Sequence, residues 1–246
     1  MTLRPQRWRL WAVSIASGAA LTAVAFVPTT TRLGVDYEVT AYTLPLYAKA
    51  LDFIQRDSSY VRIVSRIVNP DAPPESRVLT VFEWTRKNIR DTPAGFPVVD
   101  DHISHIIIRG YGEDDQKADV FTTLITYAGV PAYWSWIGTA PSTLILSFAW
   151  IDKHWRVFDV QNGIAFRNRR GALASVEELV ADPGLIASVA ANRLHQSRPY
   201  TSYFEAFHLP PPPDLLRAEE QMLWPRALYR VRRVLGLGRR EWQLDR

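Results

Sequence analysis

Apolar residues recur at helical spacing from Leu46 to Val68, with Leu46, Ala50, Phe53 and Ile54 followed by Val61, Val64 and Ile67. The run Asn69-Pro-Asp-Ala-Pro-Pro74 closes this segment, because prolines cannot continue a helix. Ser76 to Ile89 is a second amphipathic stretch, turning Val78, Val81, Phe82 and Ile89 inward. Ile106-Ile107-Ile108 reads as a short buried strand and Asp115 to Ala128 as a helix. The period then drops to two. Val130, Ala132, Trp134 and Trp136 alternate onto one face of a strand, and Leu144, Leu146, Phe148 and Trp150 onto one face of another spanning 143–151. The second row is suited to packing against the helix of 115–128. Ser175-Val-Glu-Glu178 has the form of a capping box that starts a short helix. Asp182-Pro183-Gly184 interrupts it, and a second helix is expected to run to about Leu194. Leu209-Pro-Pro-Pro-Pro213 predicts a stiff polyproline spacer. Beyond it, Glu219 to Leu235 predicts a basic helix in which Arg226, Arg230, Arg232 and Arg233 share the length with Met222, Leu223, Val231 and Leu235.

The first part of the chain follows a different pattern. Leu10 to Val27 is uncharged, reaches the lower end of what spans a hydrocarbon core, and is preceded by Arg4, Arg7 and Arg9. Ser14, Ser17, Gly18 and Thr22 dilute its apolar character. A membrane anchor is one reading. A cleaved signal peptide is the other, since Ala23-Val-Ala25 fits a small-residue cleavage pattern. Both keep the arginines in the cytoplasm and place the remainder outside it, anchored to the membrane or released into a secreted or periplasmic form.

Composition narrows the chemistry. The chain has 246 residues, 47% of them hydrophobic, which suffices for one well-buried domain with appendages. The net charge of +4 is carried almost entirely by arginine, since Lys49, Lys87, Lys117 and Lys153 are the lysines. Guanidinium groups suit bidentate contacts with anions, so Arg226, Arg230 and Arg233 are candidates for contact with anionic lipid or acidic polysaccharide. A helix folded back on the domain would use the same residues. Nucleic acid is not an expected partner. There is no cysteine, which excludes disulfides, thiolate metal sites and thiol catalysis.

The run Arg109-Gly-Tyr-Gly-Glu-Asp-Asp-Gln-Lys-Ala118, continued by Ala128-Gly-Val-Pro-Ala132 and by Trp155-Arg-Val-Phe-Asp159, resembles the core of the transglutaminase-like, papain-related superfamily. The resemblance covers residues 76–165. It implies an α+β fold in which a core helix packs on an antiparallel sheet. In that family the helix begins with the catalytic cysteine and carries an alanine four residues on, which puts Asp114 where the thiol belongs. The family's triad carboxylate falls on Asp159, and its histidine, eleven residues before the strand tryptophan, falls on Leu144. A carboxylate is a far poorer acyl acceptor than a thiolate, and losing one member of such a unit costs about as much as losing all, on the order of 10⁶ in the well-studied case of subtilisin. The resemblance therefore implies a degenerate member, with no catalytic residue expected and the triad positions filled by Asp114, Leu144 and Asp159.

Other constellations compete with that expectation. Asp114 and Asp159 could form an acid/base pair of the glycosidase type, giving a hydrolase. Alternatively, Asp114 at the start of a helix could be its N-terminal cap. Asp100-Asp101-His102-Ile-Ser-His105 holds four oxygen and nitrogen donors, but without a recognised ligand spacing it is read as loop hydrogen bonding, and neither a metal nor a cofactor is expected. Trp134 and Trp136, with Tyr111, are candidates for stacking on a peptide or a glycan. The sequence thus predicts four parts. Residues 1–27 form the tail with its anchor or signal, 28–74 a helical N-terminal part, 75–195 the core, and 196–246 the Pro-rich spacer and basic helix. The expected function is non-catalytic, binding a peptide or glycan or supporting an envelope or polysaccharide assembly system. A purely structural partner in a membrane complex is a further alternative.

Overall fold

In a computed structural model of the chain, residues 5–100, 102–139, 142–190 and 192–237 are described; side chains of 5–10 and 139 lie outside that description. Arg4 and Asp101 therefore fall outside it. The fold is α+β, with antiparallel sheets and eight α-helices among the described residues.

Helix α1, Pro5–Ala25, leads into a β-hairpin of β1, Pro28–Val35, and β2, Glu38–Pro45. This hairpin precedes α2 within residues 28–74, where the sequence predicts a helix only from Leu46. Its turn places Asp36 and Tyr37 at φ of 48° and 68°, a left-handed pair that suits the strand twist. Helix α2, Leu46–Ile67, and helix α3, Pro74–Asn88, match the periodicity that predicts them. The membrane-spanning expectation for Leu10–Val27 is not met: among the described residues, no helix is long and apolar enough to cross a membrane. Ser14, Ser17, Gly18 and Thr22, which weaken that stretch, all lie within α1.

The isoleucine triplet is helical rather than a strand. Strand β3 is only Val99–Asp100, and Ile106, Ile107 and Ile108 belong to α4, Ile103–Arg109. Ile103 and Ile106, one turn apart, are buried while Ile108 is 80% exposed, so only one side of the turn is covered. Gly110, at φ 72°, supplies the left-handed cap that ends it.

Helix α5, Asp114–Tyr127, sits against a four-stranded antiparallel sheet of order β4-β5-β6-β7. These strands are Ala132–Thr139, Ser142–Ile151, His154–Asp159 and Ile164–Ala165. Ala132 pairs with Ala149 and Tyr133 with Phe148, so odd residues of β5 share the face of the even residues of β4. Val120, Phe121, Leu124 and Ile125 of α5 meet Ala132, Ala149, Ile151 and Phe158 on that face. Phe121 lies 5.6 Å from Phe82 of α3 and 5.3 Å from Phe158, closing this half of the core.

The row Leu144, Leu146, Phe148 and Trp150 therefore faces away from α5, contrary to expectation. Its partners are Tyr133, Ile137, Trp155 and Val157 together with residues from the C-terminal third of the chain. Helices α6, Val176–Ala181, and α7, Gly184–Ala190, cover part of this second face. A small hairpin of β8, Leu194–His195, and β9, Arg198–Pro199, follows. Tyr200, Tyr203, Phe204, Phe207 and Leu216 are buried in the same cluster, so core packing continues beyond residue 195. The polyproline stretch is tied down as well, since Tyr133 Oη donates to the Pro210 carbonyl at 2.6 Å. Glu219–Gln221 form one 3-10 turn, and helix α8 is Leu223–Val234.

Candidate functional site

The start of α5, the end of β6 and the β8–β9 hairpin converge at one edge of the main sheet. Asp114 is the first residue of α5 and is half-buried. It is not the cap. Glu113 holds that position: its side chain accepts from the backbone N–H of Gln116, and the Gln116 side chain accepts from the Glu113 N–H at 3.2 Å. Burial pushes the Asp114 carboxyl above the ordinary carboxylate range; His195 and Lys117 pull it back, and Asp159 and Glu113 push it further up.

Asp159, the last residue of β6, is fully buried. It accepts from Tyr200 Oη at 2.6 Å, from the Asn162 backbone N–H at 2.8 Å and from Asn162 Nδ2 at 2.8 Å. Burial nevertheless raises its pKa, against the pull of these three donors and of His195. Trp150 pairs with Trp155, so the register of β5 and β6 sets Leu144 on the same face as Asp159. Leu144 is 1% exposed within the aromatic cluster.

Sequence reasoning missed His195. It comes from a hairpin fifty residues downstream, yet its Nε2 lies 3.1 Å from the carbonyl oxygen of Thr143, the neighbour of Leu144. Its ring stands edge-on to Tyr203 at 5.4 Å, and Tyr203 Oη donates to the His195 carbonyl at 3.0 Å. An imidazole thus occurs in the field of both carboxylates although the strand position holds leucine. No local signal marks residue 195, because its approach depends on the packing of residues 194–207 against β4 and β5.

Beside this edge opens a cleft of about 680 Å³ lined by Arg86, Arg90, Asp91, Tyr111, Lys117 and Asn162 among others. Lys117, 6% exposed, pairs with Asp91, and its Nζ donates to Gln161 Oε1 at 2.7 Å. That contact holds the Asp91 carboxyl below its usual range, as does Gln161 Nε2 at 3.0 Å. Gly163, at φ 67°, lines the wall where an added Cβ would stand 2.6 Å from Arg86 Nε. Tyr111 thus belongs to the cleft.

Trp134 and Trp136 do not. They lie on β4, an edge strand, with rings 4.9 Å apart at 83°. Trp136 is 58% exposed, but Trp134 donates its indole N–H to Asp119. Asp119 is a second group that the sequence reading overlooked, although a carboxylate between Ala118 and Val120 on a buried helix face was a visible anomaly. Burial raises its pKa to about 6, opposed by Arg217, whose Nη2 stands 2.8 Å from Oδ2, and by Trp134. Of the donors read as loop hydrogen bonding, His102 and His105 have rings 6.0 Å apart. Among the described residues, no group of three or more His, Cys, Asp or Glu could hold a metal ion.

No family model matches the chain, and no curated protein matches it. Among solved structures it is similar to a candidate cysteine protease from Cytophaga hutchinsonii, at 17% identity over 52% of this chain and 45% of that one, with a TM-score of 0.38. A similarity that slight carries no argument about fold or chemistry.

Proposed function

We propose that the chain is a transglutaminase-like protein without acyl-transfer activity, which binds a peptide or glycan in the cleft beside the former triad and works in a bacterial-type cell envelope, outside the cytoplasm. The observation that carries this reading is the side-chain chemistry at the start of α5. A carboxylate stands where a thiol is required, and the strand position that would hold the imidazole is a leucine built into the core. The cleft itself persists. Arg86, Arg90 and Lys117 against Asp91 give it a positive balance, which favours a ligand bearing carboxylates. The test is equilibrium titration of the purified chain with acidic and neutral peptides and glycan fragments. Saturable binding of the acidic members that weakens at least several-fold in Arg90→Ala and in Gly163→Ala supports the reading; equal, non-saturating signals from both sets contradict it.

The convergence of His195 on Asp114 and Asp159 favours a second reading, a hydrolase in which the two carboxylates share acid and base roles. Burial pushes both carboxyls upward, which is the direction that the acid member of such a pair requires. Turnover lost in both Asp114→Asn and His195→Ala is the outcome that separates it from the binding reading.

A further inference from the structure

Helix α8 is oriented the wrong way round for a helix that stabilises a soluble fold. At 3.6 residues per turn, Leu223, Trp224, Leu228, Val231, Val234 and Leu235 occupy one side, while Arg226, Arg230, Arg232 and Arg233 occupy the other with Tyr229. In a globular domain the apolar side turns to the core. Here those six residues are 54% to 85% exposed, and α8 has no buried residue. Neither hydrophobic cluster includes any residue of α8. The basic side supplies the contact with the body instead, as Arg226 sets its guanidinium 5.6 Å over the ring of Phe53 in α2. Leu51 and Ile54 of α2 are also exposed, at 61% and 59%. Exposed apolar residues of the core part, such as Phe96, Ile108 and Val180, are by contrast scattered singly along the chain.

We infer that α8 is an in-plane membrane helix, which lays its apolar side into the interface of an anionic bilayer while its arginines meet lipid headgroups. Charge alone would fit any acidic polymer. The apolar side decides between them, because a polysaccharide would satisfy the guanidinium groups and leave Trp224, Leu228 and Val231 in water, whereas acyl chains cover them. Trp224, beside the start of the helix, has the amphipathic ring that favours the headgroup level. The assignment is independent of the cleft and of its ligand.

Since the chain has no cysteine, Leu228→Cys on the apolar side and Tyr229→Cys on the basic side, about 100° further round the helix, each give a unique labelling site. Each full-length variant carries an environment-sensitive fluorophore and is mixed with phosphatidylcholine vesicles, with phosphatidylcholine–phosphatidylglycerol vesicles, and with polyglutamate. The expected result is a blue shift and a several-fold fall in iodide quenching at position 228 with the anionic vesicles alone, and a much smaller change at position 229. Any of three results overturns the inference: no shift at 228 with anionic vesicles, an equal shift with zwitterionic ones, or the same shift with polyglutamate. A shift at 228 that grows with protein concentration before lipid is added also overturns it, because the apolar side would then be covered by a second copy.

Discussion

Leu144 occupies the strand position that the resemblance gives to histidine, and it is buried. It is 1% exposed among Leu146, Phe148, Trp155 and Val157. Leu144→Ala is expected to cost about 2–5 kcal/mol in urea melts, the usual range for a leucine deleted from a closed core. Asp119 tests the electrostatics at the same scale. Its folded pKa of about 6 lies above the ordinary value, so the folded chain holds more protons than the unfolded one between about pH 4 and pH 6. That contribution is present in full below the unfolded pKa and is lost as pH rises through the folded one. Wild-type stability should therefore fall, by on the order of 2 kcal/mol, relative to Asp119→Asn between about pH 4 and pH 7. A difference between the two proteins that stays constant over that range contradicts the assignment.

At the scale of elements, the first turn of α5 separates two roles that the sequence runs together. Glu113 closes the capping box with Gln116, whereas Asp114 is the half-buried residue that follows. Glu113→Ala should cost about 1 kcal/mol of stability, by analogy with other lost caps. Asp114→Asn should be neutral or stabilising near neutral pH, because burial outweighs the attraction of the helix N-terminus for its charge. Thermal melts of the two variants check both. The same helix shows what could be read without coordinates. Its length, the β4 and β5 strands and the Ser175–Glu178 box follow from periodicity and cap chemistry, which are local. Which face of β5 meets α5 does not, since alternation defines two faces and only the pairing with β4 assigns them. The isoleucine triplet misled for a related reason: three β-branched residues fit a strand, but one-sided burial and the glycine at 110 make them a helical turn. His195 and Tyr200 reach the site from downstream of Asp159, and Arg217 reaches Asp119 from further still, separations over which sequence spacing carries no information.

For the whole molecule, the exposed apolar side of α8 and the arginines ahead of Leu10 bear on where the chain works. If the domain lies outside the cytoplasm, a periplasmic reporter fused after Arg246 is active and a cytoplasmic one is not; the reverse pattern contradicts export. Intact mass then tells whether the first segment is removed, since cleavage after Ala25 leaves Phe26 at the new terminus. The central claim concerns chemistry, namely that a site with Asp114 in place of a thiol binds without transferring acyl groups. Its most direct test follows glutamine-containing peptides and envelope glycans by mass spectrometry during long incubation with the wild-type chain and with Asp114→Ala. The account predicts substrate masses unchanged above background for both proteins, and product that forms with the wild type but not with Asp114→Ala would contradict it.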